Sequence, residues 1–252
     1  MKEQLALLPG LLAAHVRLTL LALSIGVVAS IPLGVWASRR RAVERAVLGV
    51  AGVLQTIPSL ALLAVLVPLL AWAGLGGIGF TPALIGLVLY SLLPVLRNTV
   101  TGLRSVDPAM LEAAQGVGMT PREALLRVEL PLAAPVIVAG VRTAAVWTVG
   151  TATLATPVGA QSLGNFIFGG LQTRNLDAVL VGCAASAALA LALDGLVRLV
   201  EVGLDRRRRG RLVTGLAGFA AVAIASVIPL AATALDAAGG ARVTIGAKTF
   251  TE

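Results

Sequence analysis

Cysteine, histidine and tyrosine each occur once in 252 residues, and aromatic side chains of all kinds make up only 4%. The single Cys183 has no intrachain disulfide partner and cannot assemble a thiolate metal site; lying inside an apolar run, it reads as lipid- or core-packed. His15 lacks the neighbours that a catalytic or metal-binding imidazole needs and, standing just ahead of a long apolar stretch, is expected at a membrane interface. There is no GxxxxGK(S/T) phosphate loop, which excludes the usual mode of ATP binding. There is no Ser/His/Asp or metal-ligand constellation either, so no catalytic residues and no metal site are expected. Charged residues are scarce at 13%, about half their share in soluble domains. That shortage leaves too little polar surface to cover a water-exposed globule of this length.

Apolar residues fill the chain instead: 58% are hydrophobic and the mean hydropathy is +0.94. A membrane-crossing helix needs about 20 predominantly apolar residues and satisfies its own backbone groups. Runs of that length fall at roughly 16–37, 47–70, 82–103, 132–156, 176–204 and 212–235, predicting an all-α integral membrane protein of about six transmembrane helices. The first run is too long for a signal-peptide core and ends in Arg39, Arg40 and Arg41, so it is the first span.

The net charge of +8 and pI near 11.3 point to topology and not to nucleic acid, because the basic residues form clusters between apolar runs without interleaved aromatics. Arg39, Arg40, Arg41 and Arg45 lie between spans one and two, Arg104, Arg122 and Arg127 between three and four, and Arg206 to Arg209 with Arg211 between five and six. The opposite loops are nearly bare, with no Lys or Arg in 71–81 and only Arg174 in 157–175. Basic loops stay in the cytoplasm. Both termini are therefore expected outside, in the cell or inner membrane.

One segment on the basic side is not made for lipid. In "DPAMLEAA", Asp107 can cap a helix that Pro108 starts; Gly116 and Gly118 then break it. In "TPRE", Thr120 caps, Pro121 takes the first helical position and Glu123 completes a capping box. Two capped starts around a glycine break predict an elbow spanning about 107–131.

Glu112, Ala113, Ala114 and Gly118, followed by Val128, Leu130 and Pro131, resemble the EAA motif of ABC importer permeases. "LQTIPSLALLAVLVPLL", "LYSLLPVLRNTVTGLRSVDPAMLEAAQGVGMT" and "TVGTATLATPVGAQSLGNFIFGGLQTRN" are similar to the branch that carries glycine betaine, choline, carnitine and related osmoprotectants. The resemblance covers roughly 15–205. It implies a type I ABC importer permease fold with a cytoplasmic coupling-helix elbow that docks on a separate ATPase. It implies no cofactor on this chain, ATP and Mg being held by the ATPase. The partners it implies are that cytoplasmic ATPase subunit, a second permease copy or paralogue, an external substrate-binding domain or protein, and membrane lipid. The division expected is a permease core at 1–205, a basic loop and additional transmembrane helix at 206–235, and an external linker with the start of a truncated binding domain at 236–252, where "VTIGAKTFTE" is similar to the opening of such a domain. Readings left open are another small solute, such as an amino acid or a thiol-imidazole betaine, in the same architecture, and an ion-coupled secondary transporter or channel.

Within the spans, Gln55, Thr56, Pro58 and Ser59 interrupt the second with polar groups and a helix breaker, and Tyr90, with Ser91 and Pro94, interrupts the third. Lining of a translocation path and helix–helix adhesion both account for such residues. Trp147 deep in span four and Tyr90 are candidates for a cation–π contact with a quaternary ammonium, whereas Trp72 suits an interfacial anchor. Arg142 in span four and Asp194 in span five, with Arg198 one turn further on, are expected as a structural ion pair. "GAQSLGNFIFGG" between spans four and five suits either a short re-entrant helix or a plain connection.

Overall fold

The structure, a computed structural model, describes residues 2–205 and 208–238, with side chains described for 4–205 and 208–227. All regular elements in this range are helical: α1 Lys2–Arg39, α2 Arg41–Thr56, α3 Ser59–Trp72, α4 Phe80–Arg104, α5 Pro108–Gly116, α6 Pro121–Ala124, α7 Leu130–Ala152, α8 Gly164–Gln172, α9 Leu176–Asp205 and α10 Arg209–Ala238. A π-helical turn, Leu125–Glu129, joins α6 to α7, and a 3-10 turn, Thr153–Val158, follows α7. Five helical runs are long and apolar enough to cross a membrane, and α2 with α3 makes a sixth if that bent pair is one crossing. α4 and α7 form the centre, with α1 against α4, α9 against α7, and α10 closing on α9 and α1.

Small residues set the spacing of the central helices. A Cβ on Gly34 of α1 would meet the Thr99 side chain of α4 at 2.7 Å, and one on Gly140 of α7 would meet Asn98 Cβ at 2.5 Å and the Pro94 carbonyl at 2.8 Å. In lipid, where apolar side chains gain nothing by leaving the solvent, such close backbone approach is a main source of helix association.

The second span, expected over 47–70 with a helix breaker inside it, is two helices. α2 and α3 meet at 100°. Pro58 cannot donate to the helix and disfavours helical geometry at Ile57, whose φ of −70° and ψ of 127° are extended. The pieces of 16 and 14 residues are about 24 and 21 Å long, each short of the ~30 Å hydrocarbon core. The bend frees the Ile57 carbonyl, and the Tyr90 hydroxyl of α4 donates to it. Pro94, inside α4, leaves the Tyr90 carbonyl without its usual donor, and Gln55 Nε2 of α2 donates to that oxygen at 3.2 Å. Each proline break is thus closed by a side chain from the helix carrying the other.

His15 does not stand on an open flank of the first span but is packed between helices. α1 begins at Lys2, so residue 15 already lies well inside the helix, where it is fully buried. The Leu163 N–H donates to Nδ1 at 3.2 Å, and Nε2 stands 3.2 Å from the Val149 carbonyl, an arrangement that requires the neutral ring protonated at Nε2. One imidazole thereby ties α1 to α7 and to the start of α8. The glycine-rich stretch after span four forms that short helix, capped by Ser162 Oγ accepting from Gly164 N at 3.0 Å, not a plain connection. His15→Leu leaves a buried donor and acceptor unpartnered, at about 1–3 kcal/mol. The midpoint of thermal unfolding in detergent is expected to fall by roughly 5 °C, and an unchanged midpoint would show that the two bonds contribute nothing.

At the other end, α10 extends through the predicted additional span and three residues into the predicted linker, Asp236 to Ala238. The proposed opening of a binding domain at the C-terminus lies outside the described residues.

Candidate functional site

The elbow forms as its capping signals require. Asp107 accepts from Ala109 N at 2.9 Å and Pro108 opens α5. Gly118 ends it at φ +84°, a left-handed conformation that costs L-residues other than glycine about 1–2 kcal/mol. Thr120 and Glu123 then exchange bonds, Thr120 N to Glu123 Oε2 at 3.0 Å and Glu123 N to Thr120 Oγ1 at 3.3 Å. The Thr120 N–H and its hydroxyl, which donates to Oε2 at 2.8 Å, hold the Glu123 carboxyl below the usual carboxylate range. From Pro121 the chain runs helically into α7 without a break, so a displacement of α6 reaches the membrane helix directly.

Of the motif residues, Glu112, Ala113, Gly118 and Pro131 are exposed, Ala114 is buried, and Val128 and Leu130 are half-buried. Beside Glu112, Val117 is 74% exposed and Met110 48%. The outward face of the elbow is therefore acidic and apolar together, with small residues between.

Ion pairs hold the roots of this elbow. Arg104, the last residue of α4, meets Glu44 of α2 with N–O distances of 2.7 and 2.5 Å. Glu129, the last residue of the π turn and only 4% exposed, receives Arg39 Nη2 on both oxygens at 2.7 Å. None of these four was singled out from sequence. The basic residues served only to orient the chain, and Glu129 occupies a free position between Val128 and Leu130 of the motif; an isolated acid beside an apolar run was the available signal.

The predicted intramembrane charges do meet. Arg142 of α7 clasps Asp194 of α9, Nε to Oδ1 at 2.5 Å and Nη2 to Oδ2 at 2.8 Å. Arg198 makes no ion pair within 4 Å among the described residues; the third member is Glu201, 3.7 Å from Arg142 Nη1. A single guanidinium fork serves both acids, and Arg198 points outward, exposed. A cavity of about 360 Å³ opens beside this pair, lined also by Thr143 and Trp147.

Of the path candidates, Gln55 and Tyr90 are engaged in the proline breaks, and the Tyr90 ring is buried with Leu62, Leu66 and Leu70. Thr56 bonds back to Val53 O at 2.7 Å on an exposed face; Pro58 is exposed and Ser59 half-buried. Trp147 is 53% exposed on α7, one turn beyond exposed Thr143 and one turn before Thr151. The structure does not bring Trp147 and Tyr90 into one cluster: one stands on an open face of α7, the other in the core beside α3.

This arrangement is the permease fold of type I ABC importers. The inward-facing MetNI methionine ABC transporter matches with a TM-score of 0.71 at 21% identity, over 84% of this chain and 99% of that one. An amino acid ABC transporter solved with histidines matches with a TM-score of 0.65 at 22% identity, over 80% of this chain and 95% of that one. The chain belongs to the family described as the binding-protein-dependent transport system inner membrane component, whose model matches residues 30–206. It is 42% identical over 187 residues to the choline transport system permease protein OpuBB of Bacillus subtilis, covering 74% of this chain and 83% of the relative. It is 40% identical over 187 residues to the glycine betaine/carnitine/choline transport system permease protein OpuCB of the same organism, with the same coverage. To the osmoprotectant import permease protein OsmW of Salmonella typhimurium it is 38% identical over 204 residues, 81% of this chain and 94% of the relative. It is a multi-pass membrane subunit of an importer.

Proposed function

We propose that this chain carries osmoprotectants such as glycine betaine, choline or carnitine through the inner membrane, with ATP hydrolysed on a separate subunit. The observation that carries the solute class is identity of about 40% to relatives named for those solutes, against 21–22% to the methionine and amino acid systems. Two permease copies, or this chain and a paralogue, form the pathway between them, and an external binding domain or protein delivers the solute. Both termini lie outside, a placement supported by the basic residues Arg39, Arg104 and Arg209 at one end of the helices. The outward face of the elbow, with Glu112, Ala113 and Gly118 exposed and Ala114 packed beneath them, seats on the ATPase, which binds ATP and Mg; this chain holds no cofactor and performs no chemistry on the solute. Val128, Leu130 and Pro131 carry the displacement into α7.

For the path, the stripe Thr143, Trp147 and Thr151 on α7 supports a lining role, because polar side chains face away from the bundle there. Thr56, Pro58 and Ser59 at the bend stand as further lining candidates. Trp147 presents a ring face to a trimethylammonium group, a contact of about 0.5–2 kcal/mol.

The test is uptake of radiolabelled glycine betaine, choline, carnitine and methionine by proteoliposomes holding this chain with the ATPase and binding component of its own system. ATP-dependent uptake of at least one quaternary ammonium and none of methionine is expected, with Trp147→Ala raising the half-saturation concentration roughly three- to tenfold. Uptake of methionine alone would overturn the solute class.

A further inference from the structure

The corner between α1 and α2 grips both roots of the elbow. α1 ends at Arg39, Arg40 breaks the helix at φ −140° and ψ 111°, and α2 carries Glu44 in its first turn. Arg39 reaches the downstream root at Glu129, and Glu44 reaches the upstream root at Arg104. The two pairs have opposite polarity, so each partner of the corner would be repelled by the wrong root. Between α1 and the elbow lies a cavity of about 600 Å³ lined by Trp36, Gln115, Met119 and Arg122, with Arg39 and Glu129 on its wall. Across that gap the Arg39–Glu129 pair is a polar bridge where apolar packing is incomplete.

Glu129 is an expensive residue to keep there, because a buried carboxylate loses its hydration and needs a partner in good geometry. It closes a π-helical turn, with Leu130 N bonded to Leu125 O, and such turns insert one extra residue that re-aims the side chains around it. The corner leads through α2 to the bend at Pro58, which Gln55 and Tyr90 hold to α4.

We propose that Arg39–Glu129 and Glu44–Arg104 form a bracket that transmits displacement of the elbow to α1 and, along α2, to the bend beneath the pathway. The four are assigned as positioning residues, acting through their contacts with one another. The proposal rests on the elbow being the ATPase contact.

The test uses the complete reconstituted complex and reads solute transported per ATP hydrolysed. Arg39→Gln and Glu129→Gln are each expected to keep basal ATP hydrolysis within about twofold while the transport ratio falls at least roughly fivefold. The exchange of charges, Arg39→Glu with Glu129→Arg, is expected to recover most of the ratio, as is Glu44→Arg with Arg104→Glu at the more exposed pair. A merely structural pair would lower the amount of assembled complex without moving the ratio in what remains. Single variants that couple like wild type, or exchanged pairs that assemble and stay uncoupled, overturn the bracket while the wild-type complex still couples. A wild-type complex in which hydrolysis and uptake are unlinked overturns the elbow reading and the bracket with it. If Glu129→Gln fails to assemble, the Arg104 and Glu44 variants decide alone.

Discussion

Gly118→Val is expected to uncouple the transporter: solute-stimulated ATP hydrolysis falls at least tenfold while the membrane helices stay folded and the unfolding midpoint moves by only a few degrees. Two physical requirements meet at this residue. Its φ of +84° lies in the left-handed region, where a β-branched residue is strained by about 1–2 kcal/mol. That energy alone corresponds to roughly a 5- to 30-fold shift in the local turn. The second requirement belongs to the proposed ATPase contact, since within the fold a Cβ at Gly118 would meet nothing within 4 Å. Nothing in the fold demands a small side chain here, yet the neighbours are Ala113 and Gly116 on an exposed face that also carries Val117. On the proposed reading, a partner surface approaching closely supplies that demand. Gly118→Asn separates the two, since asparagine tolerates the left-handed conformation but keeps the bulk. The asparagine variant is expected to lose coupling nearly as far as valine. Full coupling with asparagine would make the turn geometry sufficient, and full coupling with valine would remove the elbow from the ATPase contact. Glu112→Lys, which reverses the charge on the same face without touching the turn, is expected to lose coupling comparably.

The elbow was legible because its signals are local: caps, prolines at first helical positions and a left-handed glycine act within four residues of one another. Five long apolar helices were legible from run length for the same reason, while the second run turned out to be two helices meeting at 100°. What escaped depended on which helix lies beside which. That Gln55 closes the break at Pro94 and Tyr90 the one at Pro58 is seen only once α2 and α4 are placed side by side. His15 has no partner legible in sequence because its two bonds go to Val149 and Leu163, 134 and 148 residues away. Asp194 had two arginines within reach in sequence terms, and the choice of Arg142 over Arg198 rests on the inward face of α9, which periodicity near a helix end does not fix. Glu129 and Arg39 are 90 residues apart in the chain, a pairing no local pattern announces.

Arg142→Leu is expected to be the most destabilising single change in the membrane region. Arg142 serves two acids, Asp194 at 2.5 Å and Glu201 at 3.7 Å, with about a third or less of each side chain exposed. Removing it leaves two carboxylates near each other and without a cation in contact. An unpaired charge at membrane depth costs about 2.5–3.5 kcal/mol on insertion scales, and breaking a buried pair about 3–5 kcal/mol. For a chain of this size each kcal/mol moves the unfolding midpoint by about 2–4 °C, so a fall of roughly 10 °C or more is expected in detergent, with reduced accumulation in the membrane. Asp194→Asn should cost about half as much, because Arg142 keeps Glu201 and the amide still accepts a bond. The decisive variant removes all three charges, Arg142→Leu with Asp194→Leu and Glu201→Gln. It is expected to recover at least half of the lost midpoint, since an apolar contact between α7 and α9 carries no desolvation cost in lipid. If the triple variant is as stable as wild type and still transports, the cluster is a structural tie between two helices. Should it be stable and inactive, the charges act on the pathway through the cavity beside Trp147, and the order of the single variants in uptake, more than in midpoint, would identify which of the three does so.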